Sequence, residues 1–111
     1  MINYNPQVLT DAFTVSTTTT SISGGAVEQV LANNPNRVAV IFQAFEAPVI
    51  LNIKPPSSSY DGFSLYTGLS PFVLEYRNHG AMVGYEWFAY NAGGFSTARV
   101  NVIESSYRPR K

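Results

Sequence analysis

Turn-forming residues recur along this chain at roughly ten-residue intervals, and helical periodicity is almost absent between them. Gly24-Gly25, Asn33-Asn34-Pro35-Asn36, Glu46-Ala47-Pro48, residues 55–62, residues 67–71, Asn78-His79-Gly80 and Asn91-Ala92-Gly93-Gly94 mark the breaks. Between them lie short runs rich in β-branched and aromatic residues. This punctuation predicts an all-β protein: an antiparallel β-sandwich, jelly-roll-like, of about eight strands. At 111 residues there is room for one core and no second.

The runs can be read individually. Residues 13–21 contain five threonines and Val15, a composition that resists helix because β-branched side chains lose χ1 freedom there. Residues 26–32 fit a strand or one to two helical turns, and the neighbouring strands favour strand. Residues 37–44 are apolar on both faces, with Val38, Val40 and Phe42 on one side and Ala39, Ile41 and Gln43 on the other. That pattern predicts a central strand buried between two layers. Residues 49–54 direct Val49, Leu51 and Ile53 inward, with Ile50 an apolar exception on the outer face.

Residues 63–66 form a short strand. Residues 72–77 alternate Phe72, Leu74 and Tyr76 against Val73, Glu75 and Arg77. Residues 83–90 bring Tyr85, Trp87 and Ala89 to one face, and residues 96–104 set Val100 and Val102 inward. The expected core is therefore Val38, Val40, Phe42, Leu51, Ile53, Leu74, Trp87, Val100 and Val102. Residues 1–6 and 107–111 are left as short terminal arms.

Charge is scarce, at 13% of residues, about half the usual share. Arg108, Arg110 and Lys111 fall in the last four positions, so the preceding body holds four bases against seven acids. No basic stripe runs along that body, so nucleic-acid binding is not expected. The basic tail is either a solvated terminus or a docking segment for an acidic protein surface. No apolar run approaches the ~20 residues of a membrane-spanning helix. The first residues carry no basic and apolar pattern of a secretory signal. With no cysteine, disulfides, thiolate metal sites and cysteine nucleophiles are excluded, which fits synthesis in a reducing cytoplasm.

Catalytic constellations are hard to assemble from this composition. The one histidine, His79, sits in a turn, a poor place for a Ser-His-Asp site. The acids are scattered singly, with no calcium-loop pattern. Glu75 and Glu86, on adjacent predicted strands, are the best candidates for a glycosidase-like carboxylate pair and read more simply as solvent-facing residues. The glycine pairs match no phosphate-cradling pattern. No enzyme, metal or cofactor is expected.

Seven Phe, seven Tyr and one Trp are a heavy aromatic load for one small domain. Such side chains bury about 150–250 Å² each, more than a core this size readily hides. Some of Tyr4, Phe45, Tyr60, Tyr66, Tyr90, Phe95 and Tyr107 should therefore reach the surface. There they could anchor a protein interface, stack on a sugar, or cap the open ends of the sandwich. The candidate interface is Tyr4, Phe45, Tyr60, Tyr66, Phe95, Tyr107, Arg108, Arg110 and Lys111. Low charge favours self-association.

One segment resembles a known group. Leu31-Ala32-Asn33-Asn34-Pro35-Asn36-Arg37-Val38-Ala39-Val40-Ile41-Phe42-Gln43 is similar to the "A-N-P-x-R-x-x-L-x-I-Q-N" motif of small structural proteins of tailed bacteriophages. A threonine/serine-rich strand precedes that motif in the group, as residues 14–23 do here. Gly62-Phe63-Ser64-Leu65, Gly84-Tyr85-Glu86-Trp87-Phe88-Ala89 and Arg99-Val100-Asn101-Val102-Ile103-Glu104 echo its later strands. The group has asparagine after the glutamine, then a small glycine-rich turn; here Ala44-Phe45-Glu46-Ala47-Pro48 intervenes.

The resemblance implies a virion component: a capsid decoration (cement) protein that binds the major capsid protein, commonly as a homotrimer, or a head or tail fibre module. The alternative function is a carbohydrate-binding β-sandwich with two or three aromatics on one exposed face. Arg37 is either a structural side chain pairing across the turn or an interface contact.

Overall fold

A computed structural model describes residues 13–58, 60–67, 71–92 and 96–107. Tyr4, Phe95, Arg108, Arg110, Lys111 and the arm at residues 1–6 lie outside the described residues. The strands are β1 (Phe13–Ile22), β2 (Val27–Leu31), β3 (Arg37–Phe45), β4 (Val49–Asn52), β5 (Phe63–Leu65), β6 (Phe72–Glu75), β7 (Trp87–Tyr90) and β8 (Ala98–Tyr107). A single helical turn, α1 (Tyr76–His79), and a 3-10 segment (Gly80–Gly84) join β6 to β7. None of these helices is long and apolar enough to cross a membrane.

The strands form two four-stranded sheets, in the orders β1-β8-β3-β6 and β2-β7-β4-β5. The pairs β1–β8, β2–β7, β3–β6 and β4–β5 are nested one inside another, and every pair is antiparallel. A ribbon of nested pairs wrapped around itself is a jelly roll, and the β3–β8 and β4–β7 ladders close the wrap. The chain is an all-β sandwich, as its turn spacing predicts.

Alternation places the core. Val40, Phe42, Leu51, Leu74, Trp87, Val100 and Val102 all sit inside, each no more than 2% exposed. Phe42 and Trp87 are centred there, ring centroids 5.5 Å apart and tilted by 52°. Phe72 and the half-exposed Phe63 stack at 5.1 Å across the open side of the sandwich, between β5 and β6.

Two of the expected core residues lie elsewhere. Val38 is only half-buried, because it is the extra residue of a bulge: Arg37 pairs with Ser106 while Ala39 pairs with Ser105. Ile53 is 38% exposed, since β4 ends at Asn52 and alternation ends with it. There Asn52 Oδ1 accepts the Ile53 N–H at 2.7 Å, a local bond that competes with the ladder.

Other boundaries shift as well. The strand read over residues 72–77 stops at Glu75, whose N–H donates to His79 Nδ1 at 3.0 Å. The chain coils into α1, ended by Gly80 at φ +63°. Tyr76, grouped by alternation with Phe72 and Leu74, and Tyr85, grouped with Trp87 and Ala89, do not share their burial and are 61% and 45% exposed. The last strand runs on to Tyr107, which pairs with Phe13 and so belongs to the sheet and not to an arm.

The threonine run suits the place it occupies. β1 has ten residues and β2 only five, so Thr14, Ser16 and Thr18 remain exposed although they share the inner face with Ile22. Hydroxyl side chains tolerate water on both sides of such a strand. Ser16 Oγ donates to Glu104 at 3.3 Å and Thr19 Oγ1 to Asn101 at 3.1 Å, stitching β1 to β8.

Candidate functional site

Two buried polar groups hold the ends of the sandwich. The bulge at Val38 gives Arg37 the parity of the core face, and its side chain is 1% exposed. Its Nε donates to Glu104 at 2.6 Å, its Nη1 to the Val83 and Tyr85 carbonyls at 3.1 and 3.2 Å, and its Nη2 to the Ala32 carbonyl at 2.6 Å. These bonds tie the 3-10 segment and the end of β2 to β3 and β8. At the other end Asn91 is fully buried, and its Nδ2 donates to the Ile22 and Ser96 carbonyls at 3.0 and 2.6 Å. Of the two readings of Arg37, the structural one holds. A hollow of about 180 Å³ beside it, lined by Asn33, Pro35, Tyr76, Val83 and Tyr85, meets a guanidinium already committed to protein acceptors.

The candidate acid pair is not brought together. Glu75 lies on β6 in one sheet, whereas Glu86 precedes β7 in the other and accepts Gln29 Nε2 at 2.9 Å. Among the described residues no group of three or more His, Cys, Asp or Glu is placed to hold a metal ion.

The surface carries two features, one on each sheet. The outer face of β1-β8-β3-β6 is a broad strip almost without charge. Thr17, Ile103, Ile41 and Val73 form one row across its four strands, and Val15, Ser105, Ala39 and Glu75 the next. Thr19, Asn101 and Gln43 continue it, followed by Ser21, Arg99 and Phe45. Val15 is 69% exposed, Val73 39% and Ile103 36%. Glu75 stands at the β6 edge, and Arg99 is paired with Glu46 at 3.7 Å, so the middle of the face is aliphatic and hydroxyl-bearing. The expectation that β3 is covered on both faces is thus corrected. Its second face is this outer surface, and no described residue covers it.

On the opposite side of the molecule, residues 55–58 and 60–62 fold over β4. Asn52 Nδ2 donates to the Asp61 carbonyl at 2.9 Å, and the Asp61 carboxylate accepts the Ser57 N–H at 3.0 Å. That backbone bond, with lesser help from Lys54 at 3.4 Å, holds the Asp61 carboxyl below its ordinary range. Gly62, at φ +150°, passes so close to β4 that a Cβ would run into the Leu51 carbonyl oxygen. Between this loop and the outer face of β4 and β5 lies a groove of about 360 Å³, with Pro48, Val49, Ile50, Tyr60, Ser64, Tyr66 and Ala92 as its described lining residues, none of them charged.

The sequence-based candidates separate accordingly. Tyr60 and Tyr66, 97% and 54% exposed, meet at the groove. Phe45 and Tyr107, 43% and 56% exposed, stand at opposite ends of the charge-poor face. Phe45 pairs with Arg99, eight positions before Tyr107, or roughly 27 Å along β8. Tyr4, Phe95, Arg108, Arg110 and Lys111 fall outside the described residues. The reading of sequence missed Val15, Ile41, Val73 and Ile103, because outward aliphatics look like core residues until the pairing shows which face is open. No known family model and no curated protein matches the chain.

Proposed function

We propose that this chain is a non-enzymatic virion structural protein, a decoration protein that seats on the major capsid protein of a tailed phage as a homotrimer. The observation that carries the reading is the outer face of β1-β8-β3-β6. A soluble surface of that breadth ordinarily mixes charges of both signs, and an exposed apolar row rimmed by polar residues marks an interaction site. The jelly-roll order is compatible with the role, since viral capsid domains use it, as do lectins.

Area sets how such a seat works. Four strands at about 4.8 Å spacing and ten residues at about 3.4 Å give a face on the order of 500 Å². A standard stable interface takes about 800 Å² from each partner. One copy therefore binds the shell weakly, and a trimer gains by multivalency what a single face lacks.

The test is compositional and then mutational. Mass spectrometry of purified particles should find the chain at a copy number comparable to the shell protein. Replacing Ile103 or Val73 by Glu should strip it from particles while leaving the purified protein folded. A chain absent from particles, or charge variants that decorate as well as the parent, would refute the reading.

A further inference from the structure

We propose that the groove between Tyr60 and Tyr66 binds a neutral carbohydrate, presented on the face opposite the docking surface. Three observations carry this. The first is the lining: tyrosine rings combine an apolar face with a hydroxyl tip, matching a sugar ring, which has a C–H patch and a rim of hydroxyls. Ser64, level with Ile50 on the adjoining strand, adds a further hydroxyl at the floor.

The second is charge. Among the described residues that line the groove none is charged, so a neutral ligand suits it better than a phosphate, carboxylate or sulfate. The ligand is therefore neutral. Among the described lining residues there is no indole and no side-chain amide, the donors that read peptide carbonyls, whereas two phenols and a serine hydroxyl suit a sugar.

The third is preorganisation. Tyr60 is 97% exposed yet stands on a loop tied to β4 through Asn52 and braced by the Ser57–Asp61 bond. The floor residues Val49 and Ile50 are buried in the sheet. The loop backbone and the floor are thus held before the ligand arrives, leaving the two exposed tyrosine rings to be ordered on binding. The groove's size, about 360 Å³, falls within the ordinary range for small-ligand sites. Because it opens away from the β1-β8-β3-β6 face, one molecule can be seated and still present it.

The experiment uses the full chain on an array of neutral hexose and N-acetylhexosamine oligosaccharides beside sialylated and sulfated ones, followed by NMR titration with the best neutral glycan. Neutral glycans should bind, and charged counterparts no better. Tyr66→Ala and Tyr60→Ala should each weaken binding about tenfold, while Tyr66→Phe keeps most of it. Tyr60 is so exposed that its loss cannot unfold the sandwich. Arg77→Ala, on α1 and outside both surfaces, should leave affinity unchanged. The proposal falls if no neutral glycan shifts the spectrum at about 10 mM, or if binding needs a negative charge. It falls equally if the tyrosine variants bind normally, or if a proline decamer binds the groove and sugars do not. None of these outcomes bears on particle occupancy, so this inference and the docking reading fail separately.

Discussion

Individual side chains decide both the stability of this sandwich and the accuracy with which its core can be read. Phe42 and Trp87 meet at its centre, fully buried. Truncating either to alanine should cost about 3–5 kcal/mol in denaturant unfolding. Arg37 illustrates what alternation cannot reveal. By simple parity with Ala39 and Ile41 it belongs on the outer face, but the extra residue Val38 turns it inward against Glu104 and three carbonyls. Nothing in the residue types 37–44 announces a bulge, because bulged and regular strands share the same composition. Replacing Arg37 with methionine should destabilise the fold by about 2–4 kcal/mol, since it orphans those acceptors. The cost stays below that of a wholly buried pair because Glu104 keeps 21% exposure. Equilibrium unfolding of Arg37→Met and of the double variant with Glu104→Gln would measure it, the double variant recovering part of the loss.

The strands themselves were legible where alternation and turn residues agreed. β8 and the stretch of β3 from Val40 to Ala44 carry their buried residues where a period of two puts them, and the loop after β4 and the turn at Asn33–Asn36 fall where proline and asparagine place them. Agreement failed in the β6–β7 connection. Tyr76, Arg77 and Asn78 have no strong preference between strand and helix, so the Glu75–His79 bond and Gly80 settle the matter locally. The groove shows a similar limit: Tyr60 and Tyr66 are visible as surplus aromatics, but their meeting depends on how the loop folds over β4. That loop should respond to acid. The Asp61 carboxyl is held below its ordinary value of 3.8, chiefly by the Ser57 N–H, so its support is fully present above that pH. It is lost as pH falls through the lower, folded value. The Ser57 amide resonance should therefore move with acidification below about pH 4, and Asp61→Asn should abolish that movement.

At the scale of the whole molecule, a charge-poor face and a polar-aromatic groove on opposite sheets give the sandwich two separate surfaces. Self-association should be visible in solution: sedimentation equilibrium at high micromolar concentration should report a trimer, and a strict monomer would count against the assembly. Deleting residues 108–111 removes Arg108, Arg110 and Lys111 while sparing β8. Particle occupancy should drop and what binding remains should become less sensitive to salt, because exposed ion pairs weaken with ionic strength. The nested pairing has a further consequence, for synthesis. Among the described residues β1 pairs along its length with β8, Phe13 with Tyr107 and Ile22 with Ala98, so β1 leaves the ribosome well before its ladder partner. At about 5–20 residues per second it waits roughly 4–17 s for β8. A Val- and Ile-rich strand with its backbone open for that long would be prone to stick to its neighbours. Hydroxyl side chains keep the waiting strand wet while preserving its extended preference. Converting Thr17, Thr18 and Thr19 to valine should leave the finished sandwich intact yet divert newly made chains into aggregates.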